Sequence, residues 1–168
     1  MDAKSEPDDV SPPAPPSKTG VYIDSSGLAK LYTPEAESER LDYFLRGRRD
    51  LMISELCITE VTSAVARRKR EGLLNAKQAN EIRNALLADA DSGCFRRLDI
   101  TPAIHREAER MLLSTESLAL GTLDALHVAL ALSGQAQRVI TFDVRMADAA
   151  VLYGLEIVEL PLSEEAQQ

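Results

Sequence analysis

Residues 21–32 read VYIDSSGLAKLY, and the fold class follows from how this stretch is built. A short apolar run with no polar alternation ends in Asp24, and SSGLAKLY then reads as a short helix stopped near Pro34. An apolar run bounded in this way fits a strand buried on both faces. The same order returns at 138–143, RVITFD, where a strand over 138–142 ends in Asp143 and a helix over 144–153 closes at Gly154. Between them, strands are expected at LMIS (51–54) and FRRLDI (95–100), and a last one at LEIVEL (155–160). Helices are expected at 35–46, with Leu41, Phe44 and Leu45 on one side, and at 56–71, 75–90 and 102–114. A further helix, capped by Thr122, runs to about Ser133. Strands alternating with helices in this way imply an α/β domain: a mostly parallel sheet of about five strands, covered by helices on both faces.

The bulk properties narrow the function. The chain has 168 residues, room for one domain with a sizeable core, and 45% are hydrophobic. Only 4% are aromatic and Trp is absent, which argues against base-stacking platforms. No run approaches the roughly 18 apolar residues of a membrane helix. The acidic, Pro-rich start lacks the apolar core of a secretory signal, so a cytoplasmic location is expected. Residues 1–18 read as a disordered extension, 19–161 as the folded domain and 162–168 as a flexible tail. Cys57 and Cys94 read as two buried free thiols of a reducing compartment. Net charge is −8, and half of it lies in the two terminal segments. An acidic chain is a poor general nucleic-acid binder, so any action on RNA needs local basic patches, a bound cation, or both.

Open parallel sheets carry their chemistry at the C-terminal ends of the strands. Asp24 and Asp143 both end strands, where an acid is costly unless it reaches the rim or a cation. Glu60 falls between Ile58 and Val61, near Cys57 and Ala64, on the apolar side of a helix whose other face carries Arg67, Arg68, Lys69 and Arg70. A carboxylate there is rarely idle, and a capping or ion-pair role is the lesser account of it. Asp124 lies just inside a helix start, where an acid also serves the helix dipole. Carboxylates gathered at one edge repel, and a dry cleft raises their pKa values. A hard divalent cation resolves this, because Mg²⁺ takes a few carboxylates and keeps several waters. The chemistry so implied is phosphodiester hydrolysis.

VYIDSSGLAKLYTPEAES, ISELCITEVTSAVARR, GTLDALHVALA and VITFDVRMADAA together resemble the four signature blocks of PIN-domain proteins, most of all the VapC toxins of bacterial toxin–antitoxin pairs. The resemblance covers about residues 21–160. It implies a three-layer α/β/α sandwich and an endoribonuclease that uses Mg²⁺ or Mn²⁺. The family's four acids fall on Asp24, Glu60, Asp124 and Asp143, with Asp24, Asp124 and Asp143 as metal ligands. Ser26 and Thr141 match hydroxyls that orient the site. The implied partners are an RNA substrate, a cognate antitoxin and a second copy of the chain, with the apolar helices at 35–46 and 75–90 available for a dimer face.

Other residues read more plainly. His127, three after Asp124, is expected to be a packing histidine donating one hydrogen bond, and His105 to be solvated. Asp148 reads as a surface acid rather than a second-metal ligand, and Glu55 and Asp99 as cap or strand-end residues. The basic runs 46–49, 67–70 and 96–97 fit solvated faces, although Arg67 and Arg68 are placed to flank the site, and Arg145 lies beside Asp143. The chain lacks GxxxxGK[ST], GxGxxG and GxSxG motifs. HAD-type phosphatases need an acid where this chain has Ser26. Two rival readings stay open: a non-catalytic RNA- or protein-binding module of the same fold, and a DNA-directed nuclease, for whose helical arch the chain is short.

Overall fold

A computed structural model describes residues 20–161. The readings of 1–18 and of 162–168 lie outside the described residues. The elements follow in the order β1 (Gly20–Ile23), α1 (Ser25–Tyr32), α2 (Ser38–Leu45), β2 (Leu51–Ser54), α3 (Glu55–Arg70), α4 (Ala76–Asp91), β3 (Arg96–Leu98), α5 (Pro102–Ser114), α6 (Thr122–Ser133), β4 (Ala136–Ile140), α7 (Val144–Leu152) and β5 (Glu156–Ile157). The five strands form one sheet in the order β3-β2-β1-β4-β5, and every pairing is parallel.

Parallel neighbours need crossovers, and these are right-handed in nearly all proteins. The chain steps one way from β1 to β2 to β3, and α1, α3 and α4 pack together along that half. It then returns through α5 and α6 to β4 on the other side of β1 and goes on to β5, and here α5, α6 and α7 pack together. Reversing direction with the same handedness puts the second helix group on the opposite face, which gives the α/β/α sandwich. Burial agrees with this. Leu51, Met52, Ile53 and Ser54 of β2 are all buried, as are Val21, Tyr22 and Ile23 of β1, so neither face of the central strands meets water.

Several local expectations are corrected, among them the fourth strand, read at 138–142 and found at Ala136–Ile140, so that Asp143 caps α7 three residues beyond the end of β4. FRRLDI and LEIVEL shorten to β3 and β5, because each pairs on one side only, with β2 and β4. Exposed Arg96 and Arg97 on β3 are the kind of charge that blunts a sheet edge. Thr122 is not the cap of α6: Gly121 holds that position and gives no side-chain bond. Cys94 is exposed, because it follows Gly93 in the turn that closes α4, whereas Cys57 is buried as expected. On α2 only Leu41 is fully buried, while Phe44 and Leu45 pack against the core from its margin.

Close packing of α1 on the sheet depends on Gly27. A Cβ there would stand 3.0 Å from Ile23 Cγ2, 3.0 Å from Ile140 Cγ2 and 3.2 Å from the Ile140 carbonyl oxygen. The backbone oxygen cannot rotate away. Gly27→Val is expected to destabilise the fold by about 1–3 kcal/mol through overpacking. An unchanged urea midpoint for that variant would show that α1 has slack against β1 and β4.

Candidate active site

The direction of the crossovers reverses between β1 and β4, which makes this the topological switch point where open α/β sheets bind ligands. Asp24 leaves β1 at that point. Its backbone N–H donates to the Ile140 carbonyl at 3.1 Å, and its side chain caps α1 by accepting from the Gly27 N–H at 2.8 Å. Ser26 Oγ donates to the same carboxylate oxygen at 2.7 Å, and Thr141 Oγ1 donates to the other at 2.6 Å. Each hydroxyl is itself held from the segment that follows β4: Ser26 accepts from the Phe142 N–H at 2.7 Å, and Thr141 accepts from the Asp143 N–H at 3.1 Å. Ser26 and Thr141 therefore fix the orientation of the Asp24 carboxylate. Asp24 is only 3% exposed. Burial raises its pKa above the usual carboxylate value, although Thr141, Gly27 and Ser26 and the charge of His127 all pull the other way.

Glu60 is tied to a residue the sequence reading set aside. His127 Nε2 meets Glu60 Oε2 at 2.6 Å, and Nδ1 meets the Tyr22 hydroxyl at 2.8 Å. Tyr22 in turn contacts Ser54 Oγ at 2.9 Å, so a buried polar chain runs from the sheet interior to Glu60. Burial disfavours a charged ring at His127, but the hydrogen bonds and charge of Cys57 and Glu60 outweigh it and raise its pKa to about 10. For Glu60, burial pushes the pKa up, and the bond and charge of His127, with the Ser25 hydroxyl, bring it below the usual value. Both shifts favour one ion pair. A protonated ring donates from both nitrogens, so His127 makes two bonds rather than the one expected. The available signal was Glu60 itself: a carboxylate on an apolar helix face needs a buried partner.

Asp124 sits in the first turn of α6, whose start lies at this same edge because the helix runs back to begin β4 at the other. It is buried, and its Oδ2 lies so close over Gly121 that a Cβ there would stand 2.7 Å away. Asp143 caps α7, accepting from the Arg145 N–H at 2.9 Å, and its side chain is 42% exposed. Arg67 and Arg68 line a groove of about 410 Å³ that Ser25, Ser26, Glu60 and Phe142 also line. His105, Asp99 and Asp148 are exposed, and Glu55 pairs with Arg97.

The four acids therefore share one edge of the sheet, but as separate groups, with Asp24, Glu60 and Asp143 each held by its own hydrogen bonds. Among the described residues, no three His, Cys, Asp or Glu side chains stand close enough together to hold a metal ion. Mg²⁺ does not require three, because it is usually bound by one or two carboxylates with waters filling the rest. The donors here are hard oxygens. Asp24 carries an unfavourable buried charge, and the space beside Asp124 is kept clear by a glycine. The residues fit a small divalent cation.

A family model described as the PIN domain matches residues 21–152. Ribonuclease VapC46 of Mycobacterium tuberculosis is 32% identical over 140 residues, covering 82% of this chain and 95% of that protein. The crystal structure of Mycobacterium tuberculosis VapC20, described as a Sarcin-Ricin loop cleaving toxin, superposes with a TM-score of 0.65 at 19% identity, over 84% of this chain and 100% of that one. A toxin–antitoxin complex from Klebsiella pneumoniae superposes with a TM-score of 0.57 at 18% identity, over 83% of this chain and 97% of that one. At those identities the two solved structures share the fold. A family model that spans most of the described residues, and a relative this similar along nearly its whole length, agree with the sheet order and the strand-end acids: the chain belongs to the PIN-domain family.

Proposed function

We propose that this protein is a divalent-metal-dependent endoribonuclease that acts as the toxin of a toxin–antitoxin pair. The carrying observation is the buried carboxylate of Asp24, gripped by two hydroxyls at the switch point of the sheet. Likeness to ribonuclease VapC46 supports RNA as the substrate. Asp24 and Asp124 would hold Mg²⁺ or Mn²⁺ most directly, with Asp143 completing the acidic cluster, and the ion when bound supplies positive charge for phosphodiester hydrolysis. Ser26 and Thr141 fix the Asp24 carboxylate in one orientation, which would spare it reorganisation when an ion binds. Glu60, locked by His127, orients the attacking water, and His127 is a positioning residue acting through Glu60. Arg67 and Arg68 border the groove by which a strand would reach the acids.

The partner is a small antitoxin that places a basic side chain among the acids and blocks substrate by matching charge. Toxin–antitoxin complexes among the structural neighbours support that reading. The toxin pairs with a second copy of itself. It works in the cytoplasm, and among the described residues no helix is long and apolar enough to cross a membrane.

Wild-type protein is expected to cut single-stranded RNA with Mg²⁺ or Mn²⁺ and not with EDTA, and Asp24→Asn to abolish cutting. RNA binding without metal-dependent cutting would favour the non-catalytic module instead. Stability has a defined sign here. A carboxyl whose folded pKa is raised destabilises the fold once ionised, and that cost is absent below its ordinary pKa and complete above the raised one. Metal-free Asp24→Asn should therefore melt at a higher temperature than wild type near neutral pH. Added Mn²⁺ should raise the melting temperature of the wild type more than that of the variant. A variant that melts lower in EDTA would contradict the buried-charge account.

The Glu60–His127 pair gives a second test. His127, with its pKa raised to about 10, contributes stability that is complete below its ordinary value and lost as pH climbs toward 10. Glu60, with its pKa lowered, contributes stability present above the ordinary carboxylate value and lost as pH falls through its lowered one. The stability gap between wild type and Glu60→Gln should thus be widest near neutral pH and close toward both extremes. Cleavage by Glu60→Gln and by His127→Ala should each fall about 10–100-fold, with the double variant no worse than either. Additive losses would mean that the two residues act separately.

A further inference from the structure

The groove beside the acids contains cations already occupied by an anion from the protein itself. Lys30, near the end of α1, is the most enclosed of them. Its side chain is 11% exposed and its ammonium lies 4.5 Å over the Phe142 ring. That ammonium donates to Glu35 Oε2 at 3.4 Å, to the Ala36 carbonyl at 3.0 Å and to Glu37 Oε2 at 3.2 Å. The other Glu35 oxygen, Oε1, takes a bond from Arg68 Nη2 on α3. Glu35 thus reaches from the α1–α2 loop to both walls of the groove, with one oxygen on each cation.

The loop is built to hold it there. Pro34 ends α1, and Ser38 Oγ donates to the Lys30 carbonyl at 2.8 Å while accepting from the Glu35 N–H at 2.9 Å. Glu37 takes the left-handed conformation at φ 68°, uncommon for a residue with a side chain, and this tightens the turn. The seat is also coupled to the acids. Phe142, under the ammonium, donates its N–H to Ser26 Oγ, and Ser26 donates to Asp24. Glu35 itself is 42% exposed, so its hold on Lys30 and Arg68 is a solvent-facing ion pair of the kind that contributes little to stability.

We propose that Lys30 and Arg68 form a seat for one backbone phosphate of single-stranded RNA, and that Glu35 fills this seat as an internal stand-in that the phosphate displaces. Two carboxylate oxygens spanning an ammonium and a guanidinium present the same charge and the same paired acceptors as the non-bridging oxygens of a phosphodiester. Exchanging one anion for the other leaves both cations satisfied. Substrate then seats only where its phosphate outcompetes Glu35, which makes Glu35 a brake on weak, non-cognate RNA. This inference rests on the ribonuclease reading for its substrate.

The test uses full-length wild type, Glu35→Gln, Arg68→Ala and Glu35→Gln/Arg68→Ala. Binding of a short fluorescein-labelled single-stranded oligoribonucleotide is read by anisotropy in EDTA, across a salt series. Glu35→Gln should bind up to about fivefold tighter. Its slope of log affinity against log salt should steepen by up to about 0.7, the value for one more single-strand phosphate contact. Arg68→Ala should weaken binding and erase the gain when combined with Glu35→Gln. In multiple-turnover cleavage with Mn²⁺, Glu35→Gln should lower KM and leave kcat unchanged, as expected when only uniform substrate binding has changed. Unchanged or weaker binding by Glu35→Gln overturns the seat, as does a gain that survives loss of Arg68, or a seat that takes an acidic peptide in preference to the oligoribonucleotide. If wild type fails to cut RNA while the Glu35→Gln gain appears, the seat stands and the ribonuclease reading falls. If wild type cuts and the gain is absent, the reverse holds.

Discussion

Pairing between β1 and β4 is the constraint on which the rest depends. It brings the end of the first strand beside the end of the fourth, 117 residues later in the chain, and there Thr141 Oγ1 reaches Asp24 Oδ2. The Asp24 carboxylate then satisfies three needs together. It caps α1, it receives both hydroxyls, and it stands at the point where the helix layers part to leave a cleft. A buried anion of this kind is tolerable only because each oxygen is hydrogen-bonded, and those bonds still leave its pKa raised. The site therefore stores electrostatic cost, which a cation would relieve.

The second carboxylate is managed differently. Glu60 is neutralised inside the protein by His127, whose other nitrogen is anchored to Tyr22 on β1. The central strand thus supports the site twice, by its last residue and, through the imidazole, by its tyrosine. Asp124 and Asp143 lie in the first turn and at the cap of α6 and α7, where exposed N–H groups favour negative charge before any ion arrives. The cations of the groove are treated alike, with Lys30 and Arg68 both bonded to the carboxylate of Glu35. Near the cleft, Asp24, Glu60, Lys30 and Arg68 are thus each bonded to a local partner.

Strand-ending acids and continuous apolar runs were legible at the level of sequence, because burial on both faces and the placement of chemistry at strand ends both leave one-dimensional marks. VYID and RVITFD carried them, and so did the helix that holds Glu60. Edge strands were less legible. FRRLDI and LEIVEL have the composition of strands, yet the length of a strand is set by how far its neighbour pairs with it, and β3 and β5 each have one neighbour. The exposure of Cys94 depends likewise on a turn whose glycine at φ 83° faces outward.

Sequence alone thus determined the α/β class, the order of elements and the identity of the acids at one edge of the sheet, since these follow from local periodicity and from where polar residues interrupt apolar runs. Only the tertiary structure decided who partners whom: His127 with Glu60 across 67 residues, Thr141 with Asp24 across 117, and Glu35 with Arg68 across 33. Those pairings depend on the lateral order of strands and the packing of helices from opposite ends of the chain. No short-range pattern encodes them, because their energies arise only when distant segments are desolvated together.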